Sequence, residues 1–313
     1  MGLANLVPGM SGGTMLLATG IYPRFVSAVA EISTLRFRLP SLAVLATVIG
    51  AALLAVFLLA GFIRDWVVLH TWVAYSLFIG LTLGGVPVLW RMIGHSRPAV
   101  WMGALAGLAA MSALVLVQHE TASGFAGEEA DTLLLFATGV GGASAMVLPG
   151  ISGSYIFVLL GQYVPILGAV DTARAAFTTG EPSAAIEPFF SILFPLAVGI
   201  ALGLILVSNL VRLLLERCPN ATLGTLLGLL SGAVFGLWPF RAPVEPSLGD
   251  VIGGKVVTSA SIASIPVESW PVAFFFPSAA QVLFALLLVG VGFALTTAVS
   301  WLGDAMDEKR PAR

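Results

Sequence analysis

Six apolar runs, at 41–63, 71–90, 98–118, 189–211, 222–240 and 278–302, each come close to the ~20 residues that carry a helix across a bilayer. Segments of this length and character can satisfy their backbone hydrogen bonds in lipid only as helices. Charged residues fill 10% of the 313 positions. Soluble domains carry roughly 25%, so this chain has too few to cover a water-facing surface. The sequence therefore predicts an all-α integral membrane protein. No basic tract suggests nucleic acid, and nothing calls for a cofactor. The single cysteine, Cys218, rules out an internal disulfide or a cysteine-based metal cage. The chain opens on Met1-Gly2-Leu3 with no basic stretch, so a cleavable signal peptide is not expected.

Two more apolar stretches, 1–23 and 132–168, are interrupted by Pro-Gly. In the second, the limbs 132–148 and 155–168 flank Pro149–Ser154. At 1.5 Å per residue each limb reaches roughly 20–25 Å, less than the ~30 Å hydrocarbon core. That predicts a re-entrant hairpin with its tip at membrane depth; two full spans joined at the surface remain the alternative. Charge placement sets the sidedness. Ten basic residues (Arg24, Arg36, Arg38, Arg91, Arg97, Arg212, Arg217, Lys309, Arg310 and Arg313) fall on one side, against Arg64, Arg174, Arg241 and Lys255 on the other. The positive-inside rule names the first side cytoplasmic, with both termini there.

An internal duplication is visible. Pro8-Gly9-Met10-Ser11-Gly12-Gly13 recurs as Pro149-Gly150-Ile151-Ser152-Gly153-Ser154, and the match continues to Gly20/Gly161 and Tyr22/Tyr163. Gly80-Leu81, Gly84, Val86 and Leu89-Trp90 likewise answer to Gly228-Leu229, Gly232, Val234 and Leu237-Trp238. Each repeat then consists of a hairpin and three spans: 1–118 with hairpin 1–23, and 132–302 with hairpin 132–168, followed by a cytoplasmic tail, 303–313. Three is odd, so the second repeat enters from the opposite side, giving the inverted repeats of many secondary transporters. The repeat also predicts a limb before Pro8 like 132–148, where seven residues stand.

The loops carry the candidate site. Pro8-Gly9 and Pro149-Gly150 form the turns. Ser11 and Ser152 are natural N-caps of the helices that restart, and Gly12, Gly13 and Gly153 leave backbone N–H groups uncovered. Helix N-termini attract anions, so two converging tips would form one anion pocket with Thr14, Ser154 and Arg24 beside it. The competing account is that small residues merely allow a tight hairpin and close helix packing. Arg24 also fits an interfacial anchor, and Tyr22 and Tyr163 fit belt aromatics. Ser208 and Asn209 fit interhelical hydrogen bonding.

Enzyme chemistry is disfavoured. Gly150-Ile151-Ser152-Gly153 spells the Gly-x-Ser-Gly of intramembrane serine proteases, but such a serine needs a base in reach. His70, His95 and His119 all lie at span ends or in loops, and no lysine lies in a span. No carboxylate occupies the middle of a span either, which argues against a buried-carboxylate proton relay.

Asn5-Leu6-Val7-Pro8-Gly9-Met10-Ser11-Gly12-Gly13-Thr14 with Gly20-Ile21-Tyr22, and Ala143 to Ser154 with Leu160-Gly161-Gln162-Tyr163, resemble the paired signatures of the bacterial polyprenyl-phosphate transporter family. The resemblance spans nearly the whole chain, although family members carry a fuller limb before the first signature. It implies movement of undecaprenyl phosphate across the cytoplasmic membrane for reuse in cell-wall synthesis, the phosphate held between the loops and the isoprenoid tail left in lipid. A small-anion channel or transporter is one alternative, and a non-transporting assembly factor another. The lipid is the implied partner; a coupling ion and an oligomeric state are left open.

Overall fold

A computed structural model describes residues 12–308, apart from 35, 96, 122–130, 253–254, 260–264 and 266–269. The protein is an all-α membrane protein, with strands confined to two short ribbons among the described residues. The helices are α1 (Gly12–Ala18), α2 (Tyr22–Ser33), α3 (Leu39–Leu69), α4 (Thr71–Leu83), α5 (Gly85–Ile93), α6 (Pro98–Thr121), α7 (Thr132–Val147), α8 (Gly153–Leu159) and α9 (Tyr163–Thr179). A helical lead-in over 182–193, π-helical at Phe189–Leu193, then runs into α10 (Phe194–Arg217). α11 (Pro219–Gly236) and α12 (Ala279–Glu308) complete the set.

The six expected spans lie largely in helices, with 71–90 divided between α4 and α5 at Gly84. Among the described residues, four segments are long and apolar enough to cross a membrane: 71–93, 98–117, 183–217 and 279–302. The other two expected spans lie on α3, which runs 31 residues without a break, and α11, which runs 18. At 1.5 Å per residue these reach about 46 and about 27 Å. Run 222–240 ends its helix earlier than expected: Gly236 is the last helical residue, and Pro239 cannot rejoin a helical ladder.

The second hairpin also departs from its expected form. Its first limb is α7, close to the expected 132–148, but the second is not one helix over 155–168. α8 stops after seven residues, Gly161 turns the chain at φ 68°, and α9 starts at Tyr163. The same break separates α1 from α2, where Gly20 has φ 70° and α2 starts at Tyr22. A left-handed residue stops a helix and costs a glycine nothing sterically. The second sequence match has a backbone counterpart too. His70, between α3 and α4, has φ −127° and ψ 47°, and Cys218, between α10 and α11, has φ −133° and ψ 55°.

The helices meet crosswise: α4 packs on α12, and α6 packs on α11. Both contacts are backbone to backbone. A Cβ on Gly80 would run into the Val289 carbonyl, and one on Gly228 into the Ala104 carbonyl. With no hydrophobic drive between helices in lipid, such close approach supplies the van der Waals contact that holds them. Thr296 also donates to the Leu81 carbonyl at 2.9 Å. α7 and α10 meet the same way through Gly139, Gly199 and Gly203.

The largest apolar core forms around α1 and α2, with Leu16, Leu17, Phe25, Leu89, Val211 and Leu230 among its members. Tyr22 lies inside it, 1% exposed and with an unpartnered hydroxyl. The expected belt position is thus wrong for Tyr22, because the turn at Gly20 aims the first residue of α2 into the core. Its counterpart Tyr163 is 39% exposed, as an anchor should be. Asn209 bonds across helices as expected, from Nδ2 to Ser33 Oγ at 2.7 Å, whereas the buried Ser208 hydroxyl has no partner. Between α11 and α12, β1 (Arg241–Pro243) and β4 (Val272–Phe274) pair antiparallel, as do β2 (Val251–Ile252) and β3 (Lys255–Val256). The paired segments are only two or three residues long, too short to show a strand pattern in the sequence.

Candidate functional site

The second Pro-Gly motif touches the helix that follows the first. The Gly150 N–H donates to Thr14 Oγ1 at 3.0 Å, joining the turn of the second motif to the helix that follows the first. Both partners are buried, with Thr14 1% exposed. Gly150 sits in the left-handed region at φ 94°, with the Leu229 carbonyl and Ala233 of α11 closing its other side. No L side chain fits that conformation and that space together. Thr14 accepts this bond through its hydroxyl oxygen, and the same hydroxyl carries a donor hydrogen.

The glycines of the motifs have a packing role on this structure. A Cβ on Gly13 would meet the Val147 carbonyl at 2.7 Å and the Met146 carbonyl at 3.0 Å, at the C-terminal end of α7. One on Gly153 would meet the Gly142 carbonyl at 2.7 Å. Each motif helix therefore lies directly on the α7 backbone. Gly12 and Pro149 are buried, and Ser152 is 7% exposed at the start of α8. Arg24 is exposed in the first turn of α2. Pro8, Gly9, Ser11 and the Ser154 side chain lie outside the described residues and side chains. The structure thus gathers Gly13, Thr14 and Gly150 in one place, with Ser152 and Gly153 following directly from that turn.

A further polar group escaped the motif-based reading. Gln162 precedes α9, is fully buried, and leaves both amide atoms without a partner. An unpaired buried amide is costly. Its signals in the sequence were its place in the second signature, Leu160-Gly161-Gln162-Tyr163, and its polarity in an otherwise apolar segment. Among the described residues no cluster of His, Cys, Asp or Glu could hold a metal ion. The site is built instead from hydroxyls, amides and backbone groups.

Comparison with known proteins points the same way as the motifs. A polyprenyl-phosphate transporter of Vibrio cholerae is 30% identical over 253 residues, covering 77% of this chain and 75% of that protein. A polyprenyl-phosphate transporter of Staphylococcus aureus is 29% identical over 247 residues, covering 76% of this chain and 83% of its own length. No solved structure matches. The family described as undecaprenyl phosphate translocase-like matches over residues 1–250, a stretch that holds both motifs and their point of contact. With that match over most of its length, the chain belongs to the undecaprenyl phosphate translocase-like family.

Proposed function

We propose that this protein carries a polyprenyl phosphate, undecaprenyl phosphate in the first instance, across the cytoplasmic membrane, returning the carrier lipid for reuse in cell-wall synthesis. The observation that carries this is the buried hydrogen bond from Gly150, in the second motif, to Thr14, in the helix that directly follows the first, within an apolar bundle. A phosphate monoester crossing lipid needs donors to replace its lost hydration. The Thr14 hydroxyl is a donor of this kind, set where α1 meets the turn before α8. The absence of mid-span carboxylates leaves an anion unopposed there. In this reading the isoprenoid tail stays in lipid while the headgroup passes between the loops.

The two halves, on this proposal, are inverted repeats, each a re-entrant hairpin with three spans. Support comes from the matched turns at Gly20 and Gly161, the matched junctions at His70 and Cys218, and the crosswise pairs α4–α12 and α6–α11. Returning a monoanion inward against an inside-negative potential costs about 2.3 kcal/mol per 100 mV. Consumption of the lipid inside, or a coupled ion, has to offset that. The test is a flipping assay in proteoliposomes with polyprenyl phosphate and a short-chain analogue. Movement of both lipids is expected. Passage of small inorganic anions without lipid movement would favour the channel alternative and overturn this function.

A further inference from the structure

We propose that Arg241, held over the ring of Tyr75, is an entry anchor for the phosphate monoester headgroup, set at the membrane surface and apart from the motif contact. The proposal rests on the transport function above and adds to it the place where the headgroup is first held. The Arg241 guanidinium carbon lies 4.0 Å from the Tyr75 ring centroid, a cation–π contact. Arg241 is half-buried, yet its guanidinium makes no hydrogen bond or ion pair with any described residue. Among the described residues, α4 and β4, which pack on β1, contain no charged residue. A partly buried cation without an anion is costly. A planar fork with its hydrogens unspent suits a phosphate, which it can grip through two parallel bonds.

Its surroundings fix its depth. Trp66, Trp72, Trp238 and Phe240 gather near the same end of the bundle, at the close of α3, the start of α4 and the end of α11. Such aromatics sit at headgroup level. The positive-inside assignment places Arg241 on the non-cytoplasmic side, the leaflet from which a returning carrier lipid must be collected. A short path leads inward. Leu237 packs in one cluster with Tyr75 and with Met15, the neighbour of Thr14, and Ala233, one turn earlier on α11, lies against Gly150. A headgroup released by Arg241 therefore has the motif contact within reach along the end of α11, by way of Leu237 and Ala233.

Transport and binding should be measured in proteoliposomes across a range of polyprenyl phosphate concentrations for wild type, R241Q, R241K and Tyr75→Leu. R241Q should raise the half-saturating concentration about tenfold or more, the loss expected for a charge-assisted contact, with the maximal rate nearly kept. R241K, which keeps the charge but loses the fork, should fall between. Tyr75→Leu should weaken binding even though the arginine remains. Half-saturation also separates the proposal from a purely structural role, which would lower the amount of active protein and leave it unmoved. Wild-type half-saturation in R241Q and in R241K would overturn the proposal and leave the transport function standing. If wild type moves no lipid but binds inorganic phosphate in an Arg241-dependent way, the site stands and the lipid function falls.

Discussion

Replacing Thr14 with valine removes the acceptor of the Gly150 N–H and almost nothing else, since the two side chains have nearly the same shape. The bond is 3.0 Å long and buried, so water cannot take the lost acceptor's place. An orphaned buried donor costs about 1–3 kcal/mol, which corresponds to roughly a fivefold to hundredfold shift against the closed arrangement of the two motifs. The donor that Thr14 offers a phosphate disappears at the same time. Thr14→Val should therefore melt earlier than wild type in detergent and transport polyprenyl phosphate at least several-fold more slowly per inserted molecule. Thr14→Ser keeps the oxygen and should recover most of both. The reasoning fails if the serine variant is as damaged as the valine variant, because shape rather than the hydrogen bond would then matter. It fails equally if Thr14→Val behaves as wild type in both assays.

Two further outcomes are expected. Gly80→Ala and Gly228→Ala should each destabilise by about 1–3 kcal/mol, because each Cβ meets a carbonyl of the facing helix, whereas Gly290→Ala on α12 opens into free space and should be neutral or slightly stabilising by thermal melting. Gly20→Ala, where an added Cβ meets nothing, should cost about 1–2 kcal/mol through backbone strain alone, and Gly161→Ala at least as much, and a smaller cost at Gly161 would argue against equivalent turns in the two halves.

Much of this arrangement was legible in the sequence because lipid makes span length and apolarity near-sufficient signals. The expected apolar runs lie largely in helices, though 71–90 is split at Gly84 and 222–240 outlasts its helix, and the second Pro-Gly motif lies against the helix that follows the first. What stayed hidden depends on tertiary contact. Nothing local distinguishes Tyr22 from Tyr163, yet one is buried in the core and the other faces out. The early stop of α8 was hidden as well, since 155–168 contains no proline before Pro165 and Gly161 acts only through its positive φ. Gly13 and Gly153 looked like uncovered donors, and only the position of α7 shows how closely they pack. Arg241 read as one of four stray basic residues until β1 brought it over Tyr75.

The crosswise pairing has a consequence during synthesis. α4 finds its closest neighbour in α12, about 200 residues later in the chain. At roughly 5–20 residues per second, translation takes on the order of 10–40 s to supply that partner. Until then the bare glycine face of α4 has only lipid or the insertion machinery against it, while α6 waits a shorter time for α11. The first half therefore enters the bilayer as a set of helices still lacking their mates, and the bundle closes only when the last helix leaves the ribosome. A chain cut in the 122–130 region and made as two pieces would meet the same requirement in trans, each piece supplying the other's missing neighbours.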